Sequence, residues 1–344
     1  MQADVHALME GDLGQWLRQQ DSMRDKARED AESRWLYGGI ALLPILLFLW
    51  IGGTPFDGIR LVITIGGIVG VGVWGYQPIA DAKKTIKVGI NSAIARSIGV
   101  EYEHDVTPGP EFGACKAYGL VPKFDREEFE DRWFGEVEGH GFDLYEAHLE
   151  EQQGSNKNRR WVTVFRGAII TMEFGRPFNS TTLLQRAGKN KKWFGLGGRK
   201  DCIKVQGKEL GYVDQVHPEF DDVFEVWSDD QMEARVIVHP SYIEQLIAVE
   251  KAFEGKAVRA LFSGGSMVIA VESGNLFETG SLDAIDDRER VEEAAKQFGS
   301  LAGLALAINQ NERGRVLQHQ AVPIGAGDRR RVRRQARTFG RKTA

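Results

Sequence analysis

Residues 35–51, W-L-Y-G-G-I-A-L-L-P-I-L-L-F-L-W-I, and residues 59–76, I-R-L-V-I-T-I-G-G-I-V-G-V-G-V-W-G-Y, are two apolar runs separated only by a short Gly/Pro turn. A helix needs about 20 residues, with a range of roughly 17 to 25, to cross the hydrocarbon layer, and both runs meet the lower end of that range. Trp35 and Trp50 bracket the first run, and Trp74 and Tyr76 close the second, where amphipathic rings settle at the headgroup level. Arg60 sits one residue inside the second run and can snorkel outward. The competing reading, a helical hairpin buried in a soluble core, is disfavoured by two consecutive runs with one terminal charge between them. An integral, multi-pass membrane protein is expected.

Arg18, Arg24, Lys26, Arg28 and Arg34 precede the first run, and Lys83, Lys84, Lys87 and Arg96 follow the second, whereas the turn at 52–58 has no Lys or Arg. The excess of positive charge outside the hairpin predicts both termini in the cytoplasm. A cleavable leader would place its apolar region much nearer the start, so the first run reads as a retained anchor. Neither run contains Asp, Glu, His or Lys, which argues against an ion or proton path through a monomer. Gly66 and Gly70 form a G-x-x-x-G step, flanked by Gly67 and Gly72. Such a small-residue face favours close packing, first against the preceding span and alternatively against a second copy of the chain.

The chain has 344 residues and is 42% hydrophobic. The portion beyond the hairpin is long enough for one large or two small domains. Cys115 and Cys202 are too few for a disulfide framework and are expected to be ordinary thiols. Residues 326–344 carry eight basic groups, including Arg329, Arg330 and Arg331, against Asp328, leaving −12 on the rest of a chain whose net charge is −5. This tail, within a polar stretch from 310 to 344, is too poor in apolar residues to offset its ordering entropy and reads as disordered. Three readings compete: a solvated tail without a role, attraction to anionic lipid, and binding to nucleic acid. Proximity to a membrane favours lipid over nucleic acid.

Helical spacing of Ile79, Ile86, Ile90, Ile94 and Ile98 continues the second span into an amphipathic stalk that Gly99 stops. Five segments are thus expected: a polar, helical N-terminal stretch at 1–34, the hairpin at 35–78, a stalk and linker at 79–109, a folded body at 110–309, and the tail. Within the body, Pro110 opens a short helix, and residues 124–134 read as another. Residues 141–149 and 160–174 read as an antiparallel hairpin, 181–184 and 220–227 as strands, and 257–262 with 266–271 as a second hairpin. Asp229 is expected to cap a helical turn, Pro240 to begin a helix ending at Gly255, and a last helix to occupy 286–308. The fold class is therefore α+β, with antiparallel sheet and flanking helices behind the two-helix hairpin.

Residues 186–200 hold six basic groups, no acid, and an aromatic pair, with Lys189, Lys191, Lys192, Trp193, Phe194, Arg199 and Lys200 as candidate contacts to a membrane surface or other anion. A solvated loop is the alternative. G-L-G-G-R-K-D, residues 195–201, lacks the spacing and hydroxyl of a phosphate-binding loop. His140, His148, His217 and His239 are scattered, and the acids near 221 and 229 lack the spacing of a calcium loop. Ser263 and Ser266 lie in a turn outside any nucleophile motif. No catalytic residue, metal ligand or cofactor is assigned.

R-R-W-V-T-V-F-R-G at 159–167 and P-E-F-D-D-V-F-E-V-W-S-D-D-Q-M-E-A-R at 218–235 resemble a family of bacterial two-span membrane proteins catalogued as domain of unknown function 3137. Its F-x-G signature falls at Phe165 and Gly167, its F-x-V-x-x-D-x-x-x-A-R-x-x-x-x-P segment is matched here by Phe224, Val226, Asp229, Ala234, Arg235 and Pro240 with one more residue between Asp229 and Ala234 than that pattern has, and its closing F-E pair by Phe277 and Glu278. The resemblance covers roughly residues 35–309 and implies a bacterial inner-membrane address without supplying an activity. Phe224, Asp229, Arg235 and Pro240 read as structural, with Asp229 and Arg235 a candidate ion pair. The expected role is a membrane-anchored cytoplasmic interaction or regulatory module with membrane lipid and a protein as partners. The alternative is a membrane-associated enzyme acting on a lipid-linked or peptide substrate.

Overall fold

A computed structural model describes residues 4–51, 57–137, 140–155, 158–173, 178–187, 200–214 and 223–308. Helices α1 (Val5–Glu10) and α2 (Asp12–Gln19) lead into two long ones, α3 (Asp21–Ile51) and α4 (Asp57–Ile98). The Asp4 carboxylate caps α1 by accepting from the Ala7 amide at 3.0 Å. Both apolar runs lie inside α3 and α4, and only 6% of each apolar window is buried. Phe48, Ile51 and Val62 stand exposed, the reverse of a soluble core helix and in keeping with membrane association.

Glycines let α3 and α4 pack closely. A Cβ on Gly67 would lie 2.5 Å from Leu42, one on Gly38 2.7 Å from Val71, and one on Gly75 would overlap the Trp35 ring. Gly66, Gly70 and Gly72 meet nothing within 4 Å of that position, so the G-x-x-x-G step does not face the first span. Gly67 does so instead, because one residue turns a helix by about 100°.

Below the apolar stretch α4 continues without interruption, and Ile86, Ile90 and Ile94, four residues apart on one face, are fully buried in the main core. Gly99, at φ +79°, ends the helix. The Trp16 ring of α2 covers Gly89, where any side chain would collide with it.

The strands are β1 (Val100–Asp105), β2 (Arg126–Val137), β3 (His140–Gln153), β4 (Arg160–Glu173), β5 (Thr182–Arg186), β6 (Cys202–Val205), β7 (Lys208–Val213), β8 (Phe224–Ser228), β9 (Ala257–Ser263) and β10 (Ser266–Glu272). They form one sheet in the order β1-β2-β3-β4-β10-β9-β5-β8-β7-β6, with antiparallel pairing throughout. β1 supplies an edge strand within the stretch read as stalk and linker.

Helices α5 (Pro110–Ala117), α6 (Gln231–Ile237), α7 (Pro240–Ala252) and α8 (Asp287–Ile308) complete the described body. One core joins Leu13, Leu17, Ile90, Tyr242, Leu246 and Phe298 to one face of the sheet. A second gathers Phe112, Cys115, Tyr145, Trp227 and Leu261 on the other. The α+β architecture is that expected from the sequence.

Residues 124–134 are the exception: β2, not a helix, occupies them from Arg126 onward. The register of β2 against β3 shifts between Glu130 and Trp133. Such a bulge reverses the alternation of side chains. Phe129 therefore packs with the second core and Trp133 with the first, although ideal strand spacing would put them on one face.

Gly167 of β4 has φ +153°, and a Cβ there would overlap the Val271 carbonyl oxygen of β10. Gly167→Ala is expected to destabilise the protein by at least about 1 kcal/mol, because a side chain is forced into backbone that cannot recede. The midpoint of thermal unfolding of the full-length protein in detergent checks this, and an unchanged midpoint would refute the close approach.

Candidate functional site

Of the surface residues expected to meet lipid or another anion, Lys200 is exposed. Lys189, Lys191, Lys192, Trp193, Phe194, Arg199, Arg329, Arg330 and Arg331 lie outside the described residues, as do His217, Asp221 and Asp222. Phe224 is fully buried at the start of β8, and Pro240 occupies the first turn of α7 behind His239, whose Nδ1 accepts from the Tyr242 amide at 3.3 Å.

Asp229 and Arg235 are not an ion pair. Asp230, not Asp229, caps α6 through the amides of Met232 and Glu233. Asp229 therefore lies outside the helix, accepts from the Thr181 amide at 2.7 Å, and pairs with Lys208 at 3.6 Å. Arg235 instead donates to the Asp214 carbonyl at 3.1 Å. Glu233 takes the amides of Asn179 and Ser180, so two carboxylates hold the backbone that leads into β5.

A denser constellation lies where α4 enters the sheet. Asp131, at φ +57° in the β2 bulge, has a wholly buried carboxylate. Its Oδ2 is 2.6 Å from Lys87 Nζ of α4, and its Oδ1 accepts from the Tyr102 hydroxyl at 2.6 Å and lies 3.1 Å from His104 Nδ1.

Lys87 also reaches Glu278 at 2.7 Å and Glu130 at 3.2 Å. Burial opposes its charge, but Asp131 and Glu278 outweigh it, and the ammonium holds its proton more tightly than an ordinary lysine. Burial, reinforced by Asp131, likewise raises the Tyr102 phenol. His104, Glu130 and Asp131 come close enough together to hold a metal ion. The Lys87 ammonium already supplies the cation there, so no metal is assigned.

Residues 273–281 form a strap across α4. The Asn91 amide of α4 donates to the Phe277 carbonyl at 3.3 Å, and Thr279 Oγ1 donates to Asn91 Oδ1 at 3.0 Å. Arg290 of α8 donates to the Glu278 carbonyl. Phe277, at φ +52°, places its ring 5.0 Å from that of Trp133.

The strap is tied to the sheet by Glu146 of β3, only 1% exposed, whose Oε2 accepts from the Leu276 amide at 3.0 Å while Oε1 accepts from Arg166 Nε at 3.1 Å. Burial pushes the Glu146 carboxyl up to about 8, against the pull of the Leu276 amide and Arg166. The N-terminal helices add a second clasp. Arg24 grips Asp287 at the head of α8 through two 2.8 Å bonds, and Arg28 holds Asp283 at 2.5 Å.

The sequence marked Glu278 and Phe277 by resemblance and Lys87 only as a topological charge. Tyr102, His104, Asp131, Glu146 and Arg166 went unassigned. Adjacent Glu130 and Asp131 in an otherwise amphipathic strand were the available signal, visible once the bulge is known.

The sequence profile of a family described as a protein of unknown function, DUF3137, matches residues 163–310, in agreement with the resemblance read from the motifs. That match begins within β4 and leaves out both long apolar helices. No curated protein matches the chain. Among solved structures, the mycobacterial trehalose monomycolate transport factor A, TtfA, aligns at 12% identity and a TM-score of 0.32, over 64% of this chain and 94% of that one. A likeness of that size fixes neither function nor ligand.

Lys87→Met strips the buried Asp131 carboxylate of its counter-charge and is expected to cost about 3 to 5 kcal/mol. Adding Asp131→Asn should recover a large part of that loss, since the two act as a unit. Denaturant titration of the full-length single and double variants measures the coupling, and additive losses would dissolve the pair.

Proposed function

We propose that this chain is a membrane-anchored interaction or regulatory module of the bacterial inner membrane, with both termini cytoplasmic and the sheet held at a set distance below the bilayer. The observation that carries this reading is the continuity of α4, a 42-residue helix whose upper part is apolar and exposed and whose lower part is core. From Tyr76 to Lys87 the helix descends about 16 Å at 1.5 Å per residue. The basic groups outside the hairpin support the orientation.

Contacts to anionic lipid through the basic 186–200 loop and the tail, a protein docked on the body, and a second copy along the open Gly66 and Gly70 face belong to the same reading. An enzyme working on a lipid-linked or peptide substrate has less support. Most ionisable groups of the junction turn on one another: a recess of about 860 Å³ between α1, α2 and α4 is lined by Leu8, Leu13, Trp16 and Arg96 and by none of them, and Glu278 alone of them lines a smaller one of about 230 Å³ beside Arg290.

Native membranes solubilised gently, with the full-length protein captured and its stoichiometric companions identified by mass spectrometry, test the module. A companion that is retained by wild type and lost when residues 100–344 are removed is the expected outcome. A protein that purifies alone, and whose turn at residue 58 labels from the cytoplasmic side as a single cysteine, would sink both the partner and the topology.

A further inference from the structure

We infer that the 273–281 strap closes on the stalk with uptake of a proton at Glu146, so that acidification holds the membrane helix α4 and the sheet together and alkalinisation releases the strap. The geometry points there through an imbalance of charge. Four carboxylates, Glu130, Asp131, Glu146 and Glu278, converge from β2, β3 and the strap on two cations, Lys87 of α4 and Arg166 of β4. Tyr102 and His104 of β1 also meet Asp131, while Arg290 of α8 is committed to the Glu278 carbonyl and Asp286.

Not all four acids are equally placed. Glu278 and Glu130 keep 44% and 31% of their side chains exposed, so water screens them. Asp131, fully buried, is met by an ammonium, the Tyr102 hydroxyl and the His104 ring. Glu146, as deeply buried, is met by one guanidinium that it shares and one backbone amide. Its register partner across the strands is Glu130, a like charge directly opposite, and Arg166, at 3.1 Å from Glu146 and 3.8 Å from Glu130, is shared between the two.

A proton on Glu146 relieves that repulsion and the cost of a buried charge, and Oε2, although a weaker acceptor than a carboxylate oxygen, still takes the Leu276 amide that fixes the strap. Without the proton, the carboxylate is drawn toward water, and the Leu276 anchor goes with it. Glu278 is two residues further along, so loss of the anchor also withdraws a partner from Lys87.

The sign is set by the two states. With the strap closed, the Glu146 carboxyl titrates near 8, and once opened to water it returns toward the ordinary 4.5. Closure is therefore fully favoured below about 4.5 and loses strength as pH rises to about 8, by up to tenfold in the closing constant per pH unit. Strap release does not require a docked partner, so this inference stands or falls apart from the proposed module.

Hydrogen–deuterium exchange of the full-length protein in detergent, at pH 6 and pH 8 and corrected for intrinsic exchange, reads the strap through the Leu276 amide, with α5 as internal reference. The opening constant of the strap is expected to rise at least tenfold across that interval in wild type and to stay flat in Glu146→Gln. Glu130→Gln, which removes the opposing charge, should shrink the rise and serves if Glu146→Gln fails to fold. A flat wild-type profile, or a rise that survives both substitutions unchanged, overturns the inference.

Discussion

Lys87 carries its charge into the protein on the same helix that carries the apolar run, and the arrangement of the neighbouring elements follows from the need to satisfy it. An ammonium with 7% of its side chain exposed must be met by carboxylates whose own desolvation is repaid by further hydrogen bonds. The β2 bulge answers this by turning Asp131 out of register toward α4, at the cost of a left-handed backbone conformation in a non-glycine residue. The strap answers it a second time with Glu278. Four regions far apart in sequence are thereby tied to one point on the stalk: β1 through Tyr102, β2 through Asp131, β3 and β4 through Glu146 and Arg166, and the strap.

The family match begins at residue 163, beyond the stalk, β1, β2 and β3. The F-x-G and F-E positions inside it make contacts both within the matched range and beyond it. Gly167 is glycine because Val271 and Ser273 pass over it at the foot of the strap. Between Phe165 and Gly167, Arg166 reaches Glu146 and Asn275. Phe277 and Glu278 close on Trp133 and Lys87. The motifs are a description of how the strap is seated.

The sequence revealed most where one periodicity governs a long stretch. The two apolar runs, the Ile86, Ile90, Ile94 face and the hairpins at Gly154 and Gly265 each announce themselves locally, because burial on one face repeats every four residues or every two. It misled where the period is interrupted: at β2, whose aromatic spacing fits a helix once a bulge adds a residue, and at Asp229, where either of two consecutive acids could cap the same turn. Nothing local distinguishes Asp230 as the cap, because the choice depends on the Thr181 amide waiting for Asp229. The junction was illegible for a related reason. Ion pairs such as Arg24 with Asp287 and Lys87 with Glu278 span most of the chain, and pairing over that distance leaves no period to read.

Two helical legs, not one, reach the body from the apolar segment, and each is fastened separately. α4 ends in the Lys87 lock, while α3 is held near its start by Arg24 and Arg28 on the segment that begins α8. A single leg would leave the sheet free to swivel about the helix axis. Two attachments on different elements remove that freedom, and the Trp16 ring over Gly89 braces α2 against α4 as well. Clasped at both places, the body has its orientation fixed relative to the two apolar helices.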